Sequence, residues 1–118
     1  MDNGFQYIID NQGISSTSDY PYVGADGTCD EQASSITIAK IWSYRDVNPS
    51  EDDMLPAVAM QPVSVVLDAS RYKFENYKGQ VFTGPCGANM NHAVTVVRYG
   101  ADADATKFWL MRNSWDVW

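Results

Sequence analysis

Asn91-His92-Ala93-Val94-Thr95-Val96-Val97, the polar run Gly100 to Thr106, and Lys107-Phe108-Trp109-Leu110-Met111-Arg112 decide how this chain folds. β-Branched and aromatic residues fill both apolar runs, and turn-forming residues separate them. That combination predicts a β-hairpin with arms over His92–Tyr99 and Lys107–Arg112. The only histidine opens the first arm, and Asn113-Ser114-Trp115 follows the second. This is the layout of an imidazole held by a side-chain amide, on the expectation that His92 and Asn113 lie close enough to touch.

An imidazole titrates near neutral pH and serves as a general base or acid. If the Asn113 amide oxygen accepts from one ring nitrogen of His92, the other nitrogen is aimed outward at a reacting group. Trp115 would cover such a bond and keep water from it. Each residue also has a plainer reading: a half-buried histidine at a strand end, a turn asparagine, a tryptophan filling core.

Upstream of the hairpin, Val63-Ser64-Val65-Val66-Leu67-Asp68-Ala69 reads as a strand. Before it, Asn48-Pro49-Ser50-Glu51-Asp52-Asp53 reads as a helix start, with Ser50 as N-cap and carboxylates in the first turn. Met54, Leu55, Val58 and Ala59 supply that helix's apolar face. Pro56 falls inside it, where a proline costs about 3 kcal/mol in an ordinary helix. Ser70 to Tyr77 reads as a short helix or turn, and Gly79 to Phe82 as a brief strand. At the start, Phe5, Ile8 and Ile9 share a helical face, and Gly13 is placed to end the helix at C′. Ile36 to Tyr44 reads as extended. Helix first, then mostly antiparallel strands, predicts an α+β fold.

The totals exclude several functions. With 118 residues the chain is one domain or a piece of one. A net charge of −7 and no basic cluster argue against nucleic acid and anionic membrane surfaces. No apolar stretch approaches a membrane span, and Met1-Asp2-Asn3-Gly4 does not read as a signal peptide. One histidine and two dispersed cysteines lack metal-ligand spacing, so no metal is expected. No glycine-rich loop opens a helix, so no phosphate-bearing cofactor is expected either. Cys29 and Cys86 both lie in loops, open to one internal bridge or to two separate fates. Cys86, in Gly84-Pro85-Cys86-Gly87, has no evident helix N-terminus to activate it as a nucleophile. Loop cysteines fit an oxidising compartment.

The motifs taken together resemble the papain-like cysteine proteases, and among them the plant members related to papain and the stem bromelains. The matching segments are Met1 to Ile9, Asp19-Tyr20-Pro21-Tyr22, Gly27-Thr28-Cys29, Gln61-Pro62-Val63-Ser64-Val65, Gly84-Pro85-Cys86-Gly87, Asn91-His92-Ala93-Val94 and Arg112-Asn113-Ser114-Trp115. They occur in the family's order and approximate spacing. The resemblance implies the C-terminal half of a papain-like fold: the tail of the left helical domain over residues 1–38, then most of the right domain, an antiparallel β-barrel, over residues 39–118.

It further implies a cysteine-type endopeptidase site, with His92 and Asn113 as the catalytic histidine and asparagine and Trp115 shielding them. Met1, Val66 and Ala93 match positions lining an apolar slot for the substrate's P2 side chain, and Asn91 precedes the histidine where the family has Asp or Asn. Cys29 and Cys86 match half-cystines whose partners would lie outside the chain. The family's Gly-Ser-Cys-Trp nucleophile motif does not occur in these 118 residues, so the chain by itself is expected to be inactive. Peptide or protein substrates, cystatin-type inhibitors and a secretory, vacuolar or lysosomal, or extracellular location follow from the same resemblance. The alternative is a non-catalytic homologue that binds peptides or partners without turnover. Two departures stand out. Arg98 replaces a glycine on a core strand, where a cation needs a partner or an exit to water. Trp115-Asp116-Val117-Trp118 replaces the family's Trp-Gly-x-x-Trp-Gly.

Overall fold

The computed structural model describes residues 1–115. Asp116, Val117 and Trp118, part of the second departure, lie outside the described residues. The chain divides into two compact units, Met1–Asp46 and Val47–Trp118. The sequence reading places its boundary earlier, at residues 38 and 39.

In the first unit, α1 (Asp2–Asp10) ends in a Schellman turn. Gly13 N–H donates to Ile8 O at 2.8 Å and Gln12 N–H to Ile9 O at 3.1 Å, satisfying carbonyls that a helix end leaves open. The left-handed residue is Gln12, at φ 58°, and Gly13 sits one place later than expected. Gly13 is needed there for another reason. At φ 149°, a Cβ would lie 2.6 Å from Thr37 Cβ and 2.8 Å from Ala39 O. The close approach lets Ile14 and Ala39 form a β-bridge, the only regular pairing among described residues in the stretch read as extended. A short helix that the sequence reading missed, α2 (Glu31–Ser35), is capped by the Asp30 carboxylate, which accepts from Ala33 N–H at 2.9 Å. Its last carbonyls are met from a distance: Asn11 Nδ2 donates to Ser34 O at 3.0 Å and Ser15 Oγ to Ala33 O at 2.8 Å.

The second unit carries the core. Helix α3 (Glu51–Met60) starts where expected, with Ser50 Oγ accepting from Asp53 N–H at 3.2 Å. Pro56 is accommodated inside it. The strands are β1 (Val63–Leu67), β2 (His92–Ala101) and β3 (Lys107–Arg112), antiparallel in the order β1-β2-β3. Helix α3 packs on β2, and Val58, Ala69, Val94 and Val96 are the buried apolar side chains among the described residues. Between β1 and β2 lies a four-residue helix, α4 (Tyr72–Glu75).

Two expectations are corrected. The sheet is open, not closed into a barrel: the described residues supply three strands, paired only through β2. Gly79 to Phe82 forms no strand, because Gln80 takes a left-handed φ of 69° that breaks extended geometry.

The pairing also settles Arg98. Val96 pairs with Met111 while Arg98 pairs with Leu110, so Val97 is an extra residue, a β-bulge. Cross-strand partners share a face and neighbours along a strand alternate, so the bulge turns Arg98 to the face opposite Val96. Arg98 is exposed there and finds its exit to water. No helix among the described residues is long and apolar enough to cross a membrane.

Candidate active site

His92 is the first residue of β2, directly opposite Leu67 of β1, and is half-buried. Asn113 follows the last residue of β3. The hairpin brings them into contact: His92 Nε2 and Asn113 Oδ1 are 2.7 Å apart. The same oxygen accepts the backbone N–H of Ser114 at 2.8 Å. An N–H cannot donate to an amide NH2, so this second bond identifies the atom as oxygen and fixes the amide's orientation. An amide oxygen only accepts, so Nε2 carries the proton. In neutral imidazole Nδ1 is then the basic nitrogen, and no hydrogen bond among the described residues engages it. The site thus consists of an oriented base with its lone pair available.

Trp115 lies against the imidazole, with ring centroids 4.7 Å apart and planes 31° from parallel. Phe74 of α4 meets Trp115 edge-on at 5.9 Å, and Phe82 meets Phe74 edge-on at 5.7 Å. This aromatic row backs the tryptophan and thereby the covered side of the His92–Asn113 bond. Sequence reasoning named Trp115 but missed Phe74 and Phe82. An aromatic at the centre of a four-residue helix has no periodic pattern to mark it.

Asn91 fastens the backbone just before the histidine. Its side-chain oxygen accepts Ala69 N–H at 2.9 Å, and its own N–H donates to Leu67 O at 3.1 Å. Asn91 therefore ties the approach to β2 onto the end of β1. Val66 and Ala93 are direct cross-strand partners, exposed together on the face opposite Val94 and Val96. They present a small apolar patch. Met1 belongs to the first unit and is exposed. Cys29 and Cys86 are both exposed, unpaired thiols, one in each unit, and Cys86 lies outside any helix.

The family profile described as papain family cysteine protease matches residues 1–118. A senescence-specific cysteine protease, SAG39, from Oryza sativa subsp. indica is 43% identical over 98% of this chain and 34% of its own length. Fruit bromelain from Ananas comosus is 40% identical over 98% of this chain and 32% of its own length. Among solved structures, bromelain from Ananas comosus superposes with a TM-score of 0.87 at 42% identity, covering 97% of this chain and 53% of that one. A recombinant stem bromelain precursor gives 0.88 at 42% identity over 97% of this chain and 37% of that one. The chain therefore spans about a third of the length of the curated relatives it matches.

Proposed function

Because the chain belongs to the papain family of cysteine proteases, we propose that it supplies the base half of a cysteine endopeptidase site, with His92 and Asn113 as its catalytic pair. The observation that carries this is the 2.7 Å contact between His92 Nε2 and Asn113 Oδ1, which leaves Nδ1 as the basic nitrogen. A thiol beside Nδ1 transfers its proton to the ring. The thiolate attacks the peptide carbonyl, the imidazolium returns the proton to the leaving amine, and an acyl-enzyme forms. His92 then removes a proton from water as it attacks the acyl carbon, and the thiol is restored.

The nucleophile and the oxyanion donors come from sequence outside these 118 residues. Cys86 lacks a helix N-terminus to activate it as a nucleophile, and its loop setting suits a half-cystine, as does that of Cys29. Val66 and Ala93 line the slot for an apolar P2 side chain, and Asn91 holds the backbone beside it. Peptide or protein chains are the substrates and cystatin-type inhibitors the expected partners. The loop cysteines and the family point to the secretory pathway, the vacuole or lysosome, or the extracellular space.

The test is hydrolysis of a fluorogenic dipeptidyl amide with Phe or Leu at P2. The 118-residue chain alone is expected to show none. Joined to a segment bearing the family's nucleophile motif, it is expected to cleave, with His92→Ala lowering turnover by about 10²-fold or more. Cleavage by the isolated chain that His92→Ala abolishes would overturn the view that the nucleophile lies elsewhere. An inert joined protein that still binds the peptide would leave only the non-catalytic homologue.

A further inference from the structure

Asp68 lies one residue beyond β1, next to Leu67, whose cross-strand partner is His92. Its carboxylate has several partners. Oδ1 accepts from Ser70, both from the backbone N–H at 3.0 Å and from the hydroxyl. Oδ2 accepts the backbone N–H of Asn89 at 3.1 Å, across 21 positions of sequence. Gly87 passes so near that a Cβ there would stand 1.8 Å from Oδ2. Arg71 is the charged group beside them, its Nε 3.2 Å from that same Cβ position.

We propose that Asp68 is a positioning residue, clamping the loop Gly84 to Asn91 onto the end of β1 and so fixing the backbone from which His92 is presented. Its importance for catalysis rests on the protease reading above; the clamp itself does not. Asn89 is held by Asp68, Asn91 is held by Ala69 and Leu67, and His92 follows immediately. Two fastenings two residues apart leave the start of β2 little freedom. Gly87 is the residue that lets the carboxylate reach the Asn89 amide at all.

The hydroxyl bond from Ser70, then the backbone bonds from Ser70 and Asn89, hold the Asp68 carboxyl below its ordinary range; partial desolvation opposes them, and the Arg71 charge adds to them. A depressed carboxylate pKa means that the clamp is complete above the ordinary Asp range and is lost only as pH falls through the lower, folded value. The loop therefore stays fastened at mildly acidic pH.

The experiment uses the uniformly 15N-labelled full chain, in which His92 gives the only imidazole signals. Amide exchange of Asn89, corrected for its intrinsic pH dependence, reports the clamp, and exchange at Val94 and Val96 reports the sheet. Asp68→Asn is expected to speed Asn89 exchange about tenfold and to shift the imidazole signals, with Val94 and Val96 unchanged. In the wild type, Asn89 protection is expected to fall as Asp68 protonates, a transition that Asp68→Asn lacks. Gly87→Ala, which leaves the carboxylate intact but blocks its approach, is expected to reproduce the imidazole shift, and Asp52→Asn is expected to do nothing.

A folded Asp68→Asn with wild-type Asn89 exchange and imidazole signals would overturn the proposal. Should that variant lose its sheet, the wild-type titration decides: Asn89 protection that persists unchanged through the whole carboxylate range refutes the clamp. None of these readouts involves peptide hydrolysis. A chain that passes them yet never supports cleavage refutes the protease reading and leaves the clamp standing.

Discussion

Replacing Trp115 by alanine tests whether the aromatic cover holds the site together or merely lies beside it. Trp115 is 42% exposed, so somewhat more than half of its side chain is covered. Taking roughly 120 Å² as the covered area, at about 25 cal/mol per Å², gives about 3 kcal/mol. The face contact with His92 at 4.7 Å and the edge contact with Phe74 at 5.9 Å are also lost. Each such aromatic pair is worth about 0.5–1.5 kcal/mol beyond its area. A compact unfolded state trims the area term by roughly 10–40%, so the expected loss is about 3–4 kcal/mol. In urea, with a slope of about 1–3 kcal/mol per molar, the unfolding midpoint should fall by roughly 2 M. Far-UV circular dichroism measures it. Trp115→Phe should retain part of the stack and lose about half as much. The double variant with Phe74→Ala should show a coupling of about 0.5–1.5 kcal/mol. A midpoint that moves by less than about 0.5 M in Trp115→Ala would refute the packing argument. It would mean that His92 and Asn113 are held by the hairpin alone.

Two further changes probe the scaffold. Pro56→Ala restores an N–H within α3, where Asp52 O is the helical acceptor, and is expected to stabilise the chain by about 1–3 kcal/mol, partly offset by a looser unfolded state; thermal unfolding reads it, and an unchanged or lower midpoint counts against it. Deletion of Val97, which removes the bulge, leaves Val96 opposite Met111 and Arg98 opposite Leu110, and is expected to keep the His92–Asn113 hydrogen bond and to change stability by no more than about 1 kcal/mol. The His92 imidazole 15N shifts and the urea midpoint check it; a deletion variant with displaced shifts or a much lower midpoint would contradict it.

What could be read from sequence was what the chain specifies locally. The Ser50 cap, the β1 run and the two hairpin arms are each local in sequence, and all four appear. The His92–Asn113 contact was expected from the order of the motifs and the family resemblance, and the hairpin, which brings the ends of its arms together, provides it. Features that depend on distant partners were not. Helix α2 has a readable cap in Asp30, but its C-terminal carbonyls are met by Asn11 and Ser15, roughly twenty residues away. Asp68 reads as an ordinary turn aspartate, and nothing nearby in sequence announces Asn89 as its partner. The Gly79 to Phe82 strand failed because a left-handed glutamine leaves no mark in a hydrophobicity pattern. Barrel closure came from the resemblance alone, and three strands in an open sheet do not provide it.

The bulge at Val97 connects the departure at Arg98 to the site itself. Near the turn, paired residue numbers sum to 208, as in Arg98↔Leu110 and Tyr99↔Trp109; past the bulge they sum to 207, as in Val96↔Met111 and Thr95↔Arg112. Continuing the second register past the end of β3 places Trp115 opposite His92 and Asn113 opposite Val94. His92 and Val94 share a face, so Asn113 and Trp115 point the same way as the imidazole. Their contacts with it agree with that placement. With the first register kept throughout, Ser114 would take that face, and Asn113 would point to the other side, paired with Thr95. The change of register at Val97 thus has two consequences. It moves a cation off the buried face, and it turns the amide and the indole toward the histidine. Keeping the first register throughout, at unchanged length, would undo both at once.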